Sequence, residues 1–247
     1  MKFTTIIMIV VLTISSHALS AQKKRSNDIY LLASQVIKEA NNGNTDISIS
    51  IADNIIKKYP NNYIGYYVKA YGMFHIPGKM QDGLIDNLNK CLELNPKYAP
   101  AYSLRGILSP PDNISQKISD YTLAVKYGTD KKEIADDYAK LASLKMEALD
   151  LNGALDAANK CLTLDKSNYE GYRNRGQIYI ELKNYYSALS DLDNSISIYP
   201  DDAFCYLYRG IAKANMNNTE SACKDFERAR LLIQSRQFDE TIEKYCK

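Results

Sequence analysis

Tyr172, Gly176, Ala188 and Leu192 recur 34 residues later as Tyr206, Gly210, Ala222 and Phe226. One period earlier stand Tyr138, Ala142, Ala154 and Ala158. A fixed period of this length is the mark of stacked helical hairpins. A single hairpin cannot bury its apolar face, so each unit leans on its neighbours and the chain forms an array. The period also limits function, because such arrays present surfaces and do not by themselves assemble a catalytic centre.

Counting a unit from Tyr169 places Tyr172 at position 4, Arg175 at 7, Gly176 at 8, Tyr179 at 11, Ala188 at 20, Leu192 at 24, Ser195 at 27 and Pro200 at 32. Positions 4, 7, 8 and 11 share one face of a first helix; 20, 24 and 27 share one face of a second. Small residues at 8 and 20 let the two backbones approach, and bulky ones at 4, 11 and 24 fill the space around them. Proline at 32 stops the second helix. This pattern resembles that of the tetratricopeptide repeat (TPR) family. The family's usual tryptophan at position 4 is absent, since the chain has no Trp; tyrosine mostly takes its place.

The resemblance implies an all-α fold: a right-handed superhelical solenoid of about six TPR hairpins. Carrying the phase along the chain puts the units at about 29–62, 63–98, 99–134, 135–168, 169–202 and 203–236. Residues 237–247 follow, with Phe238, Ile242 and Tyr245 at helical spacing, as a helix capping the last hairpin needs. In the third unit Pro110-Pro111 should cut the first helix short, leaving a helix from about Pro100 to Leu108 and a loop through Asn113.

The N-terminus has one lysine, an apolar run of about a dozen residues and then Ser-Ser-His-Ala-Leu-Ser-Ala, the layout of a secretory signal peptide. Residues 1–20 are expected to be the signal and 21–28 a linker. Cleavage after Ser20 is expected, with cleavage after Ala18 or Ala21, or retention as an uncleaved anchor, as the alternatives. The mature protein should then be exported, periplasmic or secreted, and soluble, with no membrane insertion once the signal is gone. The formal net charge of +2 loses Lys2 with the signal. The near-neutral remainder lacks the basic footprint of a nucleic-acid binder.

His75 is the only histidine outside the signal, and no Cys-x-x-Cys, phosphate loop or metallohydrolase motif is present. The expectations are no metal, no cofactor and no enzymatic activity. Cys91 and Cys161 occupy position 27, where a buried small residue is needed, and should stay free. Cys223 and Cys246 should face each other if the last helices form an antiparallel hairpin turning near residue 235, and an exported chain can keep them bridged.

In TPR arrays positions 2, 5, 6, 9, 12 and 13 of the first helices line the concave groove. Read onto this chain, the resemblance points to a peptide-binding groove that includes Tyr67, Tyr71, Leu104, Ile107, Lys140, Arg173, Asn174, Gln177 and Tyr208. These residues project away from the hairpin interfaces in that reading, so Tyr67→Ala and Arg173→Ala should leave the fold intact. The Lys/Asn/Arg clamp with which some TPR proteins hold a C-terminal carboxylate is not matched, because Tyr67 and Tyr71 stand where Lys and Asn are required. The implied function is that of an exported bacterial protein-interaction scaffold, taking a protein or peptide in its groove. The alternative is an envelope-assembly component acting through its convex face or by self-association.

Overall fold

Asn and Asp residues set the rhythm of the fold. The computed structural model describes residues 27–76, 82–233 and 236–246. Among these residues the regular structure is entirely helical: α1 (27–41), α2 (Thr45–Lys58), α3 (Tyr63–Phe74), α4 (Leu84–Leu94), α5 (Ala99–Leu108), α6 (Ile114–Tyr127), α7 (Lys131–Glu147), α8 (Leu151–Leu164), α9 (Tyr169–Glu181), α10 (Tyr185–Ile198), α11 (Ala203–Asn215), α12 (Thr219–Ile233), a 3₁₀ turn (Arg236–Phe238) and α13 (Asp239–Tyr245). Side chains of Asn62, Asn113, Asp130, Asp150, Asn168, Asn184 and Asp202 accept hydrogen bonds from the first free N–H groups of the helices they precede. Asp130 opens α7 about a turn ahead of the expected unit start near Ala135, accepting from both Lys132 and Glu133. The proposed signal and linker fall almost wholly on residues 1–26, outside the described residues.

The chain divides into two compact units within α5, between Arg105 and Gly106. In the first unit α2 packs on α3 and α3 on α4. Ile29, Val36, Ala52, Ile55, Ile64 and Val68 form its core, with Tyr63 and Tyr67 packed against them. The tyrosines at position 4 do more than fill space. Tyr66 and Tyr102 each donate a hydroxyl hydrogen bond, at 3.0 and 3.1 Å, to the carbonyl of the proline six residues earlier. That contact ties each first helix to the break that precedes it.

In the second unit each helix from α6 to α11 packs on the next, as does α11 on α12. Ala142, Ala154, Ala158 and Ile178 form one core layer, Ala188, Leu192 and Cys205 the next, and Ala222, Phe226 and Phe238 the last. The helix backbones come close where position 8 is glycine. A Cβ on Gly176 would lie 2.8 Å from Leu192 Cγ, and one on Gly210 would lie 2.6 Å from Phe226 Cε1. Position 7 supplies staples. Arg175 holds Asp191 through two hydrogen bonds, at 2.7 and 2.8 Å, and Arg209 holds Asp225 in the same way at 3.0 and 2.6 Å. Each also reaches back to the preceding hairpin, to Asn159 and Asp193 respectively. Such paired, planar contacts fix direction as well as distance.

The turns from α7 to α8, α9 to α10 and α11 to α12 share one geometry. Leu149, Lys183 and Asn217, 34 residues apart, adopt left-handed φ values of 62°, 57° and 60°. The next N–H bonds back five residues, as in Asp150 to Lys145 and Asn184 to Tyr179. This is the Schellman ending, which glycine adopts most cheaply. In the first unit Gly43 holds the equivalent place with φ 81°. At the C-terminus Cys223 and Cys246 form a disulfide with Cα atoms 5.7 Å apart. Phe238 is buried, and Ile242 and Tyr245 pack against the α11–α12 core.

Candidate binding site

In the first unit α3 places Tyr63, Tyr67 and Tyr71 at intervals of four on one face, and His75 follows in the same register just after the helix ends. Their rings are already engaged. Tyr67 meets Tyr98 edge-on with centroids 5.0 Å apart, and Tyr63 meets the same ring at 4.8 Å. Tyr71 meets the His75 ring at a tilt of 40° with centroids 4.4 Å apart, and donates its hydroxyl hydrogen to Asn41 Oδ1 at 2.8 Å. Burial raises the pKa of the Tyr98 hydroxyl above the ordinary tyrosine value. Tyr67 and Tyr71 therefore present half-buried edges. Leu104 is buried, which corrects its assignment to an open surface: it serves packing.

In the second unit the first helices are α7, α9 and α11, and a line of charges crosses them. Lys140 Nζ lies 2.6 Å from Glu170, Glu170 lies 4.0 Å from Arg173, and Arg173 Nη1 lies 2.6 Å from Asp202 Oδ2. Burial works against the charge on Arg173, but Asp202 offsets this and holds the guanidinium pKa above its usual value. Asn174 is only 4% exposed and donates to the Ala139 carbonyl at 2.8 Å. Its amide joins α9 to α7. That is a second correction, because a buried, satisfied amide is not available to a ligand. Arg173 likewise joins α9 to the residue that caps α11. Ile107, 54% exposed, stays on the surface of the second unit.

Beside this line of charges lies a cavity of about 500 Å³. Ser143, Met146 and Glu147 of α7, Leu149, Leu151 of α8, Gln177 and Glu181 of α9, and Tyr208 of α11 line it. The structure thus brings Gln177 and Tyr208 together at one cavity and assigns Arg173, Asn174 and Lys140 to cross-helix bonds. Burial raises the Tyr208 pKa, with Arg173 opposing. Leu149 and Leu151 were missed by a reading confined to first-helix positions. The available signal was a leucine in the register of Gly43, Lys183 and Asn217.

No family model matches the chain. A BBSome complex member BBS4 homolog of Drosophila melanogaster is 25% identical over 154 residues, covering 62% of this chain and 31% of that protein. A DnaJ homolog subfamily C member 7 homolog of Dictyostelium discoideum is 22% identical over 232 residues, covering 88% and 42%. The chain thus spans less than half the length of these curated relatives. Among solved structures, PilF of Pseudomonas aeruginosa superposes with a TM-score of 0.75 at 13% identity, covering 89% of this chain and 99% of that one. YrrB, described as a TPR protein with an unusual peptide-binding site, superposes with a TM-score of 0.63 at 17% identity, covering 78% and 97%. This chain has the TPR fold. In TPR terms the cavity is lined by positions 9 and 13 of two successive first helices and by position 6 of the next. The TPR helices of the described residues include none long and apolar enough to cross a membrane.

Proposed function

We propose that the protein is an exported interaction scaffold that holds an extended peptide or partner segment on the first-helix face of its second unit, with the α7–α9–α11 cavity as the contact. One observation carries this reading. Ser143, Glu147, Gln177, Glu181 and Tyr208 converge on the cavity, and none makes a hydrogen bond or ion pair with another described residue. Polar groups held without internal partners on a rigid scaffold are available to a ligand. The reading assigns no catalytic role to any residue. The secretory layout of the N-terminus supports export, and mass spectrometry of the secreted or periplasmic protein tests it. A chain beginning between Leu19 and Gln22 is expected.

Binding is tested by capture of partners on the full mature chain, with Tyr208→Ala and Gln177→Ala beside it. Loss of the same partners from both variants is the expected result. Partners retained by both variants would move the contact to the second-helix face or to self-association.

A further inference from the structure

The polar side chains of the first helices in the second unit fall into two groups. Lys140, Glu170, Arg173 and Asp202 neutralise one another in succession. The group around the cavity does not. Glu147 and Glu181 stand at the same repeat position on α7 and α9, both exposed, and neither has an ion-pair partner among the described residues. The cavity lining contains no cationic side chain. The nearest lysines in sequence on α7 are committed elsewhere, Lys140 to Glu170 and Lys145 to Asp150. Two carboxylates without ion-pair partners therefore flank an opening whose lining carries no cation.

The apolar part of the lining is unusual in a second way. Leu149 is left-handed, with φ 62°, and 85% exposed. A side chain with a Cβ is strained in that conformation. At the equivalent place the chain uses Gly43 and Asn217, which adopt it more readily, and Lys183, whose charge is solvated. Leucine improves neither the turn nor the solubility of the surface there. It does add an apolar surface to Met146 and Leu151 at the cavity.

We infer that the cavity takes a segment of a partner protein that presents a lysine or arginine side chain next to an aliphatic one. The cationic head is received between Glu147 and Glu181, with Gln177 and Tyr208 as further hydrogen-bonding groups. The aliphatic neighbour rests on Met146, Leu149 and Leu151. Charge complementarity selects the occupant: an acidic segment would add a third negative charge beside two carboxylates that lack ion-pair partners, and a wholly apolar one would leave both unpaired. This inference rests on the first-helix face being the binding surface and adds the chemistry of what it holds.

The test is selection of a random dodecapeptide display library on the full mature chain, followed by titration of the selected peptides. The comparison variants are Glu147→Gln with Glu181→Gln, Leu149→Gly and Tyr208→Ala. Both glutamates are exposed and unpaired, so the double variant should keep the wild-type melting temperature. Selected peptides should share a basic residue beside an aliphatic one. Their affinity should fall about ten-fold or more in the double glutamine variant, the scale expected for losing charge-assisted hydrogen bonds. It should also weaken on raising salt. Neutral or acidic peptides that bind in a Tyr208-dependent manner would overturn the basic–aliphatic assignment while leaving the cavity as the binding site. A selection that yields no peptide, or peptides indifferent to every variant, would overturn both.

Discussion

Arg173 Nη1 and Asp202 Oδ2 lie 2.6 Å apart, joining α9 to the residue that caps α11. Asp202 is 6% exposed, and its other oxygen accepts from the Phe204 N–H. Arg173→Ala leaves a buried carboxylate without its cation, so the variant should lose about 2 kcal/mol or more. This reverses the expectation that the residue can be removed freely. Urea denaturation of the two proteins decides the point, and an unchanged midpoint would show that the pair contributes nothing.

Gly210 has no room for a side chain, because a Cβ there would meet the Phe226 ring. Gly210→Ala should cost about 1–3 kcal/mol by overpacking. Adding Phe226→Leu should recover part of that loss, since the smaller side chain opens space. If the two changes simply add their costs, the contact between these positions is not the cause.

Leu149→Gly should raise stability by about 1 kcal/mol, because glycine relieves the left-handed strain at no packing loss. The same variant should bind basic–aliphatic peptides more weakly. A variant that melts at a lower temperature than the wild type would show that the Leu149 side chain contributes to the fold through contacts of its own.

The Cys223–Cys246 bond closes a loop with a sequence separation of 23. Reducing it should destabilise the protein by about 3 kcal/mol in the chain-entropy account. Burial pushes the thiols of Cys91, Cys161 and Cys205 up to about 12, so they should resist alkylation in the native protein at neutral pH. Native labelling under mild reduction should therefore modify Cys223 and Cys246 and spare the other three. Rapid labelling of any buried cysteine would reveal an opening of its hairpin.

Asp150 caps α8. The Gly153 N–H and then Lys145 hold its carboxyl below the usual aspartate range. A lowered folded-state pKa means that its contribution is complete above the unfolded value, about 3.9, and is lost as pH falls through the folded value. Asp150→Ala should lower the melting temperature at pH 7, and the gap from wild type should narrow as the pH drops below about 4. A gap constant from pH 7 to pH 2 would mean that the ionised carboxylate is not what stabilises the turn.

Much of the fold was legible because it is local. Glycine at position 8 and alanine at 20 announced close helix approach, and Gly176, Ala188, Gly210 and Ala222 are buried where the helices meet. Pro110-Pro111 marked the end of α5, which stops at Leu108. The candidate site was legible only in part. Counting positions on a first helix identifies which side chains leave the core, but it does not say what they meet. Leu104 and Asn174 passed that count and are buried; Leu149 lay outside it and lines the cavity.

The helical hairpins and the small and bulky residues between them could be read from the chain alone, because repeat period, proline breaks and side-chain volume act over a few turns. Which polar groups are committed to one another and which remain open depends on the packed arrangement of the helices. Lys140 finds Glu170, Asn174 finds Ala139 and Arg173 finds Asp202 across about one repeat of sequence. Such pairs depend on how neighbouring helices are set, and a difference of a few ångströms separates a structural ion pair from a carboxylate left free to bind.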